Sequence, residues 1–296
     1  MIRYPGGKSK LRKQIVSELV RIIDGRNIGY CEPFFGGGSI GLKFLQSNYD
    51  IKKIWINDID LGISCLWTAI IKYPELLIKY VKTFKPSIYA FYNFKSELSK
   101  KINYFDDSEK NIVEYGFKKL ALHQISYSGL GVKSGGPLGG EEQKSKYKID
   151  CRWSLDYICK QIYKYNELFA RFNICNNICT QLDFEEIIKT EQEFVIYLDP
   201  PYYVKGNDLY QFGFTEKDHI RLANLLKQIK NSWLLSYDDC EEIRQLYSWA
   251  SIIDIDSVNY SITALKDKNT GERKSRQKRE LLIMNNKDIK RGFINV

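Results

Sequence analysis

Apolar residues recur every three or four positions at Leu11, Ile15, Leu19 and Ile22, which predicts an amphipathic helix after Gly7. The period then changes. Gly29 to Glu32 reads as a short strand stopped by Pro33, followed by a glycine cluster and a helix beginning near Ser39. From Lys53 to Asp58, Ile54 and Ile56 alternate with polar or amphipathic neighbours as in a second strand, and a helix follows from about Asp60 to Ile71. Strand, glycine turn, helix and strand in this order begin a parallel sheet with right-handed crossovers.

From about Tyr73 to Arg171 the pattern loses this alternation and becomes rich in Lys, Tyr and Phe. It contains the loop Ser126 to Gly140, with six glycines and Pro137. Helical patterns flank that loop, so residues 73–171 read as an inserted, mainly helical subdomain with a mobile loop, set within an α/β domain of residues 1–72 and 172–296. Sheet-like texture resumes at Ile174 to Gln181, with a helix around Phe184 to Lys189 and a strongly apolar run, Phe194 to Leu198, that reads as a buried central strand. Thr215 caps a helix to about Lys230, then come a strand at Ser232 to Ser236 and a helix near Glu241 to Trp249. Val258 to Ala264 and Glu280 to Asn285 are expected to form a final hairpin joined by a long basic loop. The expectation is a mixed seven-stranded sheet.

Composition adds limits to this picture. The chain has 296 residues, 44% apolar, 14% aromatic and 27% charged, which excludes wholesale disorder, a collagen-like repeat and a coiled coil. No apolar run approaches the ~20 residues that cross a bilayer, so a cytoplasmic protein away from membranes is expected. The seven cysteines do not suggest a disulfide framework. Cys151, Cys159, Cys175 and Cys179 lie close in sequence, but none forms the tight pair of a zinc site, and His123 and His219 are isolated; no metal is expected. Lys and Arg number 45 against 36 Asp and Glu, a net +9 that favours a polyanionic partner, nucleic acid first. The excess is local: residues 1–17 hold Arg3, Lys8, Lys10, Arg12 and Lys13 without an acid, and residues 266–279 hold seven Lys or Arg against two acids.

Two motifs carry chemistry. Gly36, Gly38 and Gly41 form a nucleotide-binding glycine fingerprint between a strand and a helix, and Asp58 follows at the end of the second strand, where a carboxylate can accept from a ribose hydroxyl pair. A dinucleotide or S-adenosylmethionine fits equally. Asp199-Pro200-Pro201-Tyr202 directly follows the buried strand, at the carboxyl edge where open α/β sheets bind ligands. The exocyclic amine of adenine or cytosine is a poor nucleophile because its lone pair is conjugated with the ring. Asp199 and the Pro200 carbonyl can accept its two hydrogens, the prolines stiffen the turn, and Tyr202 offers a face on which a flipped base stacks. Gly7-Lys8-Ser9 is not a phosphate loop, since Ile2 stands where that loop needs glycine and no strand precedes it.

Tyr4-Pro5-Gly6-Gly7-Lys8, Glu32-Pro33-Phe34-Phe35-Gly36-Gly37-Gly38, Asn57-Asp58-Ile59-Asp60 and Asp199-Pro200-Pro201-Tyr202 together resemble, in their order, the Dam-like class of N6-adenine DNA methyltransferases. The resemblance covers most of the chain outside residues 73–171. It implies a Rossmann-like S-adenosylmethionine methyltransferase sheet whose insertion is the DNA target-recognition subdomain. It also implies cofactor contacts from Tyr4, Lys8, Asp58 and Asp199, with Glu32, Phe34, Gly36 and Gly38 in the matching motif and Asp183 as an acidic contact to the cofactor adenine. The family's GATC readers carry an Arg/Asn-rich stretch ending in Phe-Asn where this chain has Ser126 to Lys133, so the recognition segment does not support GATC and the target sequence stays open.

The expected reaction is methyl transfer to the N6 of a flipped adenine in double-stranded DNA, with Asp199, Pro200 and Tyr202 as the catalytic residues. Lys133 and Arg152 of the insertion and Arg273, Lys274, Arg276, Lys278 and Arg279 of the basic loop are candidate DNA contacts. A cognate restriction endonuclease and a monomeric or weakly dimeric state complete the expectation. N4-cytosine methylation uses the same amine chemistry and stays open, although those enzymes more often have Ser at the place of Asp199. An NAD-dependent oxidoreductase would account for the glycines and Asp58 but leaves the Asp-Pro-Pro-Tyr turn unexplained.

Overall fold

The computed structural model describes residues 8, 11–47, 49–51, 53–102, 104–190, 192–204, 211–255, 265–266, 273–274 and 279–289. Strands β1 (Gly29–Glu32), β2 (Lys53–Ile56), β3 (Asn173–Ile174), β4 (Phe194–Leu198), β5 (Ser232–Asp238) and β6 (Ser251–Ile255) join β9 (Glu280–Met284) in one seven-stranded sheet. Its order is β3-β2-β1-β4-β5-β9-β6, parallel except for β9, which runs antiparallel to both neighbours. A separate short pair joins β7 (Leu265–Lys266) to β8 (Arg273–Lys274).

Period-2 alternation divides the sheet residues between two cores. Tyr30, Ile54, Ile56, Val195, Tyr197, Leu234, Leu282 and Met284 face one side. Cys31, Phe194, Ile196, Leu198, Trp233, Leu235, Tyr237, Leu281 and Ile283 face the other. Helices α1 (Arg12–Ile23), α2 (Gly41–Leu45) and α3 (Leu61–Lys72) cover the first face; α8 (Phe184–Ile188), α9 (Glu216–Gln228) and α10 (Glu241–Leu246) cover the second. A last turn, α11, spans Asn286–Ile289.

Helices α4 (Pro74–Thr83), α5 (Ile88–Ser99), α6 (Glu109–Ile125) and α7 (Leu155–Phe169) follow α3. Val113, Phe117 and Leu120 of α6 and Ile158, Ile162 and Phe169 of α7 belong to the same core as α3 and the sheet. Only a small cluster, Ala90, Phe91, Leu98, Leu122, Ile125 and Ile149, stands apart between α5, the end of α6 and the following loop. Close approach of α6 to α3 depends on Gly116, where a Cβ would lie 2.6 Å from the Leu66 Cα.

Several boundaries differ from the sequence expectation. The region expected as sheet from Ile174 to Gln181 has its strand only at Asn173–Ile174, because Asn176 and Asn177 take left-handed φ of 57° and 53° and turn the chain; pairing returns at a single bridge, Thr180 to Asn57. Helix α10 stops at Leu246, and the next residues form β6, which pairs with β9 in the hairpin assigned from sequence to Val258–Ala264. Val258–Ala264 lies outside the described residues. The glycine-rich loop closes on itself through Tyr127 N–H to Gly136 O at 3.0 Å and Leu138 N–H to Ile125 O at 2.7 Å. Gln143 accepts from the Ile149 amide at 2.7 Å and donates to the Leu138 carbonyl at 2.8 Å, fastening the loop further.

Candidate active site

The sheet reverses its winding between β1 and β4, so the carboxyl ends of β1, β2 and β4 open onto one crevice edge. After β1 the chain makes its glycine turn with Gly36 and Gly38 at φ 49° and 67°, a conformation a side chain would strain. The turn is held from three directions. Gly38 N–H donates to Phe35 O at 2.7 Å. Trp67 Nε1 donates to Gly36 O at 2.8 Å, and Gly36 N–H donates to Asp58 Oδ2 at 2.7 Å. The other oxygen of Asp58 accepts from the Asp60 amide at 2.9 Å. Burial, with the charge of Asp60 adding to it, pushes the Asp58 carboxyl up to about 7 despite these amide donors.

Asn57, immediately before Asp58, clips three chain segments together. Its Nδ2 donates to Pro33 O at 3.0 Å and Leu182 O at 3.1 Å, while its Oδ1 accepts from Leu182 N and Thr180 Oγ1, each at 2.8 Å. Glu32 is buried beneath the glycine turn, accepts from the Tyr30 hydroxyl at 2.6 Å and from the Gly41 amide, and is pushed well above the usual carboxylate range by burial. Half-buried Phe34 lies beside Phe184 and Phe214, with ring centroids 5.7 and 5.6 Å away. Asp183 caps α8 by accepting from Glu185 N at 2.9 Å and pairs with Arg221 Nη2 at 2.9 Å; that guanidinium stands 4.4 Å above the Phe184 ring. Both Asp183 oxygens therefore already have protein partners.

At the end of β4, Asp199 Oδ1 accepts from Lys8 Nζ at 2.8 Å and from Ser236 Oγ at 3.2 Å. The Ser236 hydroxyl also meets the Tyr197 hydroxyl at 2.9 Å, which ties the turn to the sheet. Lys8 is fully buried, donates to the Tyr202 hydroxyl, lies 4.4 Å from the centroid of the Tyr202 ring and stands 3.7 Å from Glu280 Oε2. Tyr202 donates in turn to Glu280 Oε1 at 3.1 Å. Burial opposes the charge on Lys8, but Asp199, Tyr202 and Glu280 outweigh it and hold the ammonium's pKa well above its ordinary value. Burial pushes the Glu280 carboxyl up, with Lys8 opposing. Asp199 remains partly open, its side chain 21% exposed, whereas Lys8 has none of its surface in solvent.

The structure thus brings Lys8, Asp199 and Tyr202 into one cluster and Glu32, Gly36, Gly38 and Asp58 into a second beside it, with Phe34 at its edge. Tyr4, Arg276 and Lys278 lie outside the described residues, as do the side chains of Arg273 and Lys274. Lys133, Arg152 and Arg279 are exposed. Glu280, Ser236 and Asn57 had no role assigned from sequence. Glu280 had a signal, an acid opening the apolar run Leu281 to Met284; Ser236 had none. Among the described residues no three His, Cys, Asp or Glu side chains are placed to hold a metal, and no single helix is long and apolar enough to cross a membrane.

A mostly parallel seven-stranded sheet with a reversed penultimate strand, a glycine turn after β1 and an Asp-Pro-Pro-Tyr turn after β4 define a Rossmann-like methyltransferase. The family of D12 class N6 adenine-specific DNA methyltransferases matches residues 4–260, and the chain belongs to it. It is therefore an adenine-specific DNA methyltransferase. It is similar to the Type II methyltransferase M.MjaIII of Methanocaldococcus jannaschii, 23% identical over 252 residues that cover 77% of this chain and 79% of that protein.

Proposed function

We propose that this enzyme transfers methyl groups from S-adenosylmethionine to the N6 amine of an adenine flipped out of double-stranded DNA, with Asp199, Pro200 and Tyr202 as the catalytic residues. The observation that carries the reading is the Asp199 carboxylate, anchored at one oxygen by Lys8 and Ser236 yet partly exposed at the mouth of the crevice. The residues present fit the cofactor. Left-handed glycines at 36 and 38 keep side chains off the turn, and Asp58 offers an acceptor for a ribose hydroxyl pair. When bound, S-adenosylmethionine supplies an electrophilic methyl group.

Asp199 and the Pro200 carbonyl accept the two amine hydrogens and turn the nitrogen lone pair out of conjugation. Tyr202 supplies aromatic surface for the flipped base; the residue is buried, with Lys8 over its ring, so stacking requires what covers the ring to move aside. No cysteine lies in the turn, in keeping with direct transfer and no covalent enzyme intermediate. Phe34, Gly36, Gly38 and Asp58 hold the cofactor with Tyr4, while buried Glu32 and Lys8 act on that site from behind, through the glycine turn and Asp199; Asp183 reaches the cofactor adenine only by exchanging the Arg221 partner.

Residues 73–171 form the recognition segment, reading DNA through the exposed surface around the 126–150 loop, with Lys133 and Arg152 on phosphates. The basic loop carrying Arg273, Lys274, Arg276, Lys278 and Arg279 adds sequence-independent phosphate contacts. The enzyme acts as a monomer or weak dimer inside the cell, paired with a restriction endonuclease of the same target.

Incubation with DNA and methyl-labelled S-adenosylmethionine, followed by digestion to nucleosides and sequencing of modified positions, tests this reading. Label in N6-methyladenine at one sequence is expected; label in N4-methylcytosine, or none, would sink it.

A further inference from the structure

Helix α6 carries a lysine where its packing face calls for an apolar residue. Lys119 lies between Gly116 and Leu120 on the side pressed against α3, and it is 2% exposed. Its Nζ stands 2.5 Å from Asp60 Oδ2, with the two side chains 3% and 8% exposed. The stem reaches its partner by crossing α3 at Gly62, where a Cβ would lie 2.8 Å from the Lys119 Cδ. A buried ammonium is costly unless paired, and a buried pair is a weak source of stability compared with apolar packing. The placement therefore calls for a reason beyond holding helices together.

Asp60 is the N-cap of α3, its Oδ1 accepting from Gly62 N at 2.9 Å and Ile63 N at 3.3 Å. Its own amide donates to Asp58 Oδ1 at 2.9 Å, and Asp58 Oδ2 in turn takes the Gly36 amide at 2.7 Å. Two buried carboxylates two residues apart repel one another. Lys119 supplies the cation that offsets this repulsion, from an element inserted after the strand that carries them. The same ammonium is 3.4 Å from Gln211 Oε1, and Gln211 donates to the Leu98 carbonyl of α5 at 2.7 Å.

We infer that Lys119 is a positioning residue for the cofactor site: by holding Asp60 it keeps Asp58 in place, so the inserted helix α6 completes the ribose-binding edge of the sheet. This rests on the proposed role of Asp58 as the ribose acceptor. The other groups facing the acidic pair are Glu32 from β1 and Cys179 from the segment after β3 at Asp58, and Cys65 of α3 and Tyr115 of α6 at Asp60. The thiols and the phenol are pushed up by burial and stay neutral through neutral pH. Glu32 is common to wild type and variants, so their difference reads Lys119.

Calorimetric titration with S-adenosylmethionine, at about pH 7 and about pH 9, tests the inference on the full chain. Lys119→Met is expected to weaken binding about tenfold at the lower pH, because the repelled Asp58 takes up a proton, and to recover toward wild type at the higher pH. Adding Asp60→Asn to that variant removes the repulsion, and binding at the lower pH should return to within about threefold of wild type. Wild-type binding by Lys119→Met at both pH values overturns the proposal. So does an equal loss at both, unrelieved by Asp60→Asn, which would mark a packing role alone. If Lys119→Met does not fold, Asp60→Asn by itself should move the pH midpoint of binding downward, and an unmoved midpoint overturns the proposal. Asp58→Asn separates the underlying reading: if it binds cofactor as wild type does, Asp58 is not the ribose acceptor, whatever Lys119 does.

Discussion

Lys8 Nζ lies 2.8 Å from Asp199 Oδ1, although 191 residues separate them in the chain. The pairing joins a residue ahead of the first helix to the Asp-Pro-Pro-Tyr turn at the end of the central strand. Glu280, opening the antiparallel strand β9, approaches the same ammonium. Three distant segments thus meet at one buried cation.

Removing the proposed amine acceptor should abolish chemistry while sparing DNA association. Asp199→Ala is expected to lower methyl transfer at least about a hundredfold, the scale of losing a preorganised polar group at a reacting centre. DNA affinity measured by fluorescence anisotropy should stay within about threefold, since the proposed phosphate contacts lie elsewhere. Full transfer activity in this variant would remove Asp199 from the mechanism.

Breaking the Lys8 cluster should cost stability as well as activity. Lys8→Met leaves Asp199 and Glu280 without their cation, and loss of one partner from a buried pair typically costs about 3 kcal/mol. Urea unfolding of Lys8→Met and of Lys8→Met with Glu280→Gln measures this. The double variant should be the more stable of the two, because it no longer buries the second carboxylate uncompensated.

Asp58 should leave a signature in the pH dependence of unfolding. Its carboxyl is pushed up from 3.8 to about 7 in the folded protein, so the folded state binds the proton more tightly than the unfolded chain. The associated stabilisation is present at pH below the unfolded value and is lost as pH rises through the folded one. Wild type minus Asp58→Asn should therefore decline in stability between about pH 4 and pH 7 and level off above. A flat difference would place Asp58 in a more solvated setting.

Asn57→Ala should loosen the cofactor edge without touching a charge. It strands the buried Pro33 O and the partly buried Leu182 O and Leu182 N. Each unsatisfied group costs about 1–3 kcal/mol before relaxation. Thermal unfolding should show a clear loss, and added S-adenosylmethionine should recover part of it by binding the folded form.

Neutralising the basic loop should change salt dependence rather than target choice. Replacing Arg273, Lys274, Arg276, Lys278 and Arg279 with glutamine should lower the slope of log affinity against log salt by about 0.9 for each phosphate that the loop no longer neutralises. The sequence methylated should be unchanged. An unaltered slope would make the loop a solvated tip.

Local signals in the chain carried far into the fold. Prolines, glycines and alternation at Gly29 to Gly38 and Phe194 to Tyr202 located both crevice turns, and Thr215 does cap its helix, with Asp218 completing a capping box. The sequence misled where local preference was weak. Ile174 to Gln181 looked like a strand, but Asn176 and Asn177 turn it. Ser251–Ile255 was hidden behind the helix before it because it is an edge strand with little continuous burial.

Strand periodicity, turn residues and the order of four short motifs are properties of neighbours in sequence, so the sequence by itself determined the α/β class and the two chemical turns. What Lys8 pairs with, that Glu280 and Ser236 stand behind Asp199, and that Lys119 reaches Asp60 across Gly62 were decided only by tertiary structure. The reason is electrostatic: the energy of a buried charge depends on which opposite charge the fold brings within a few ångströms, and separation along the chain carries no record of it.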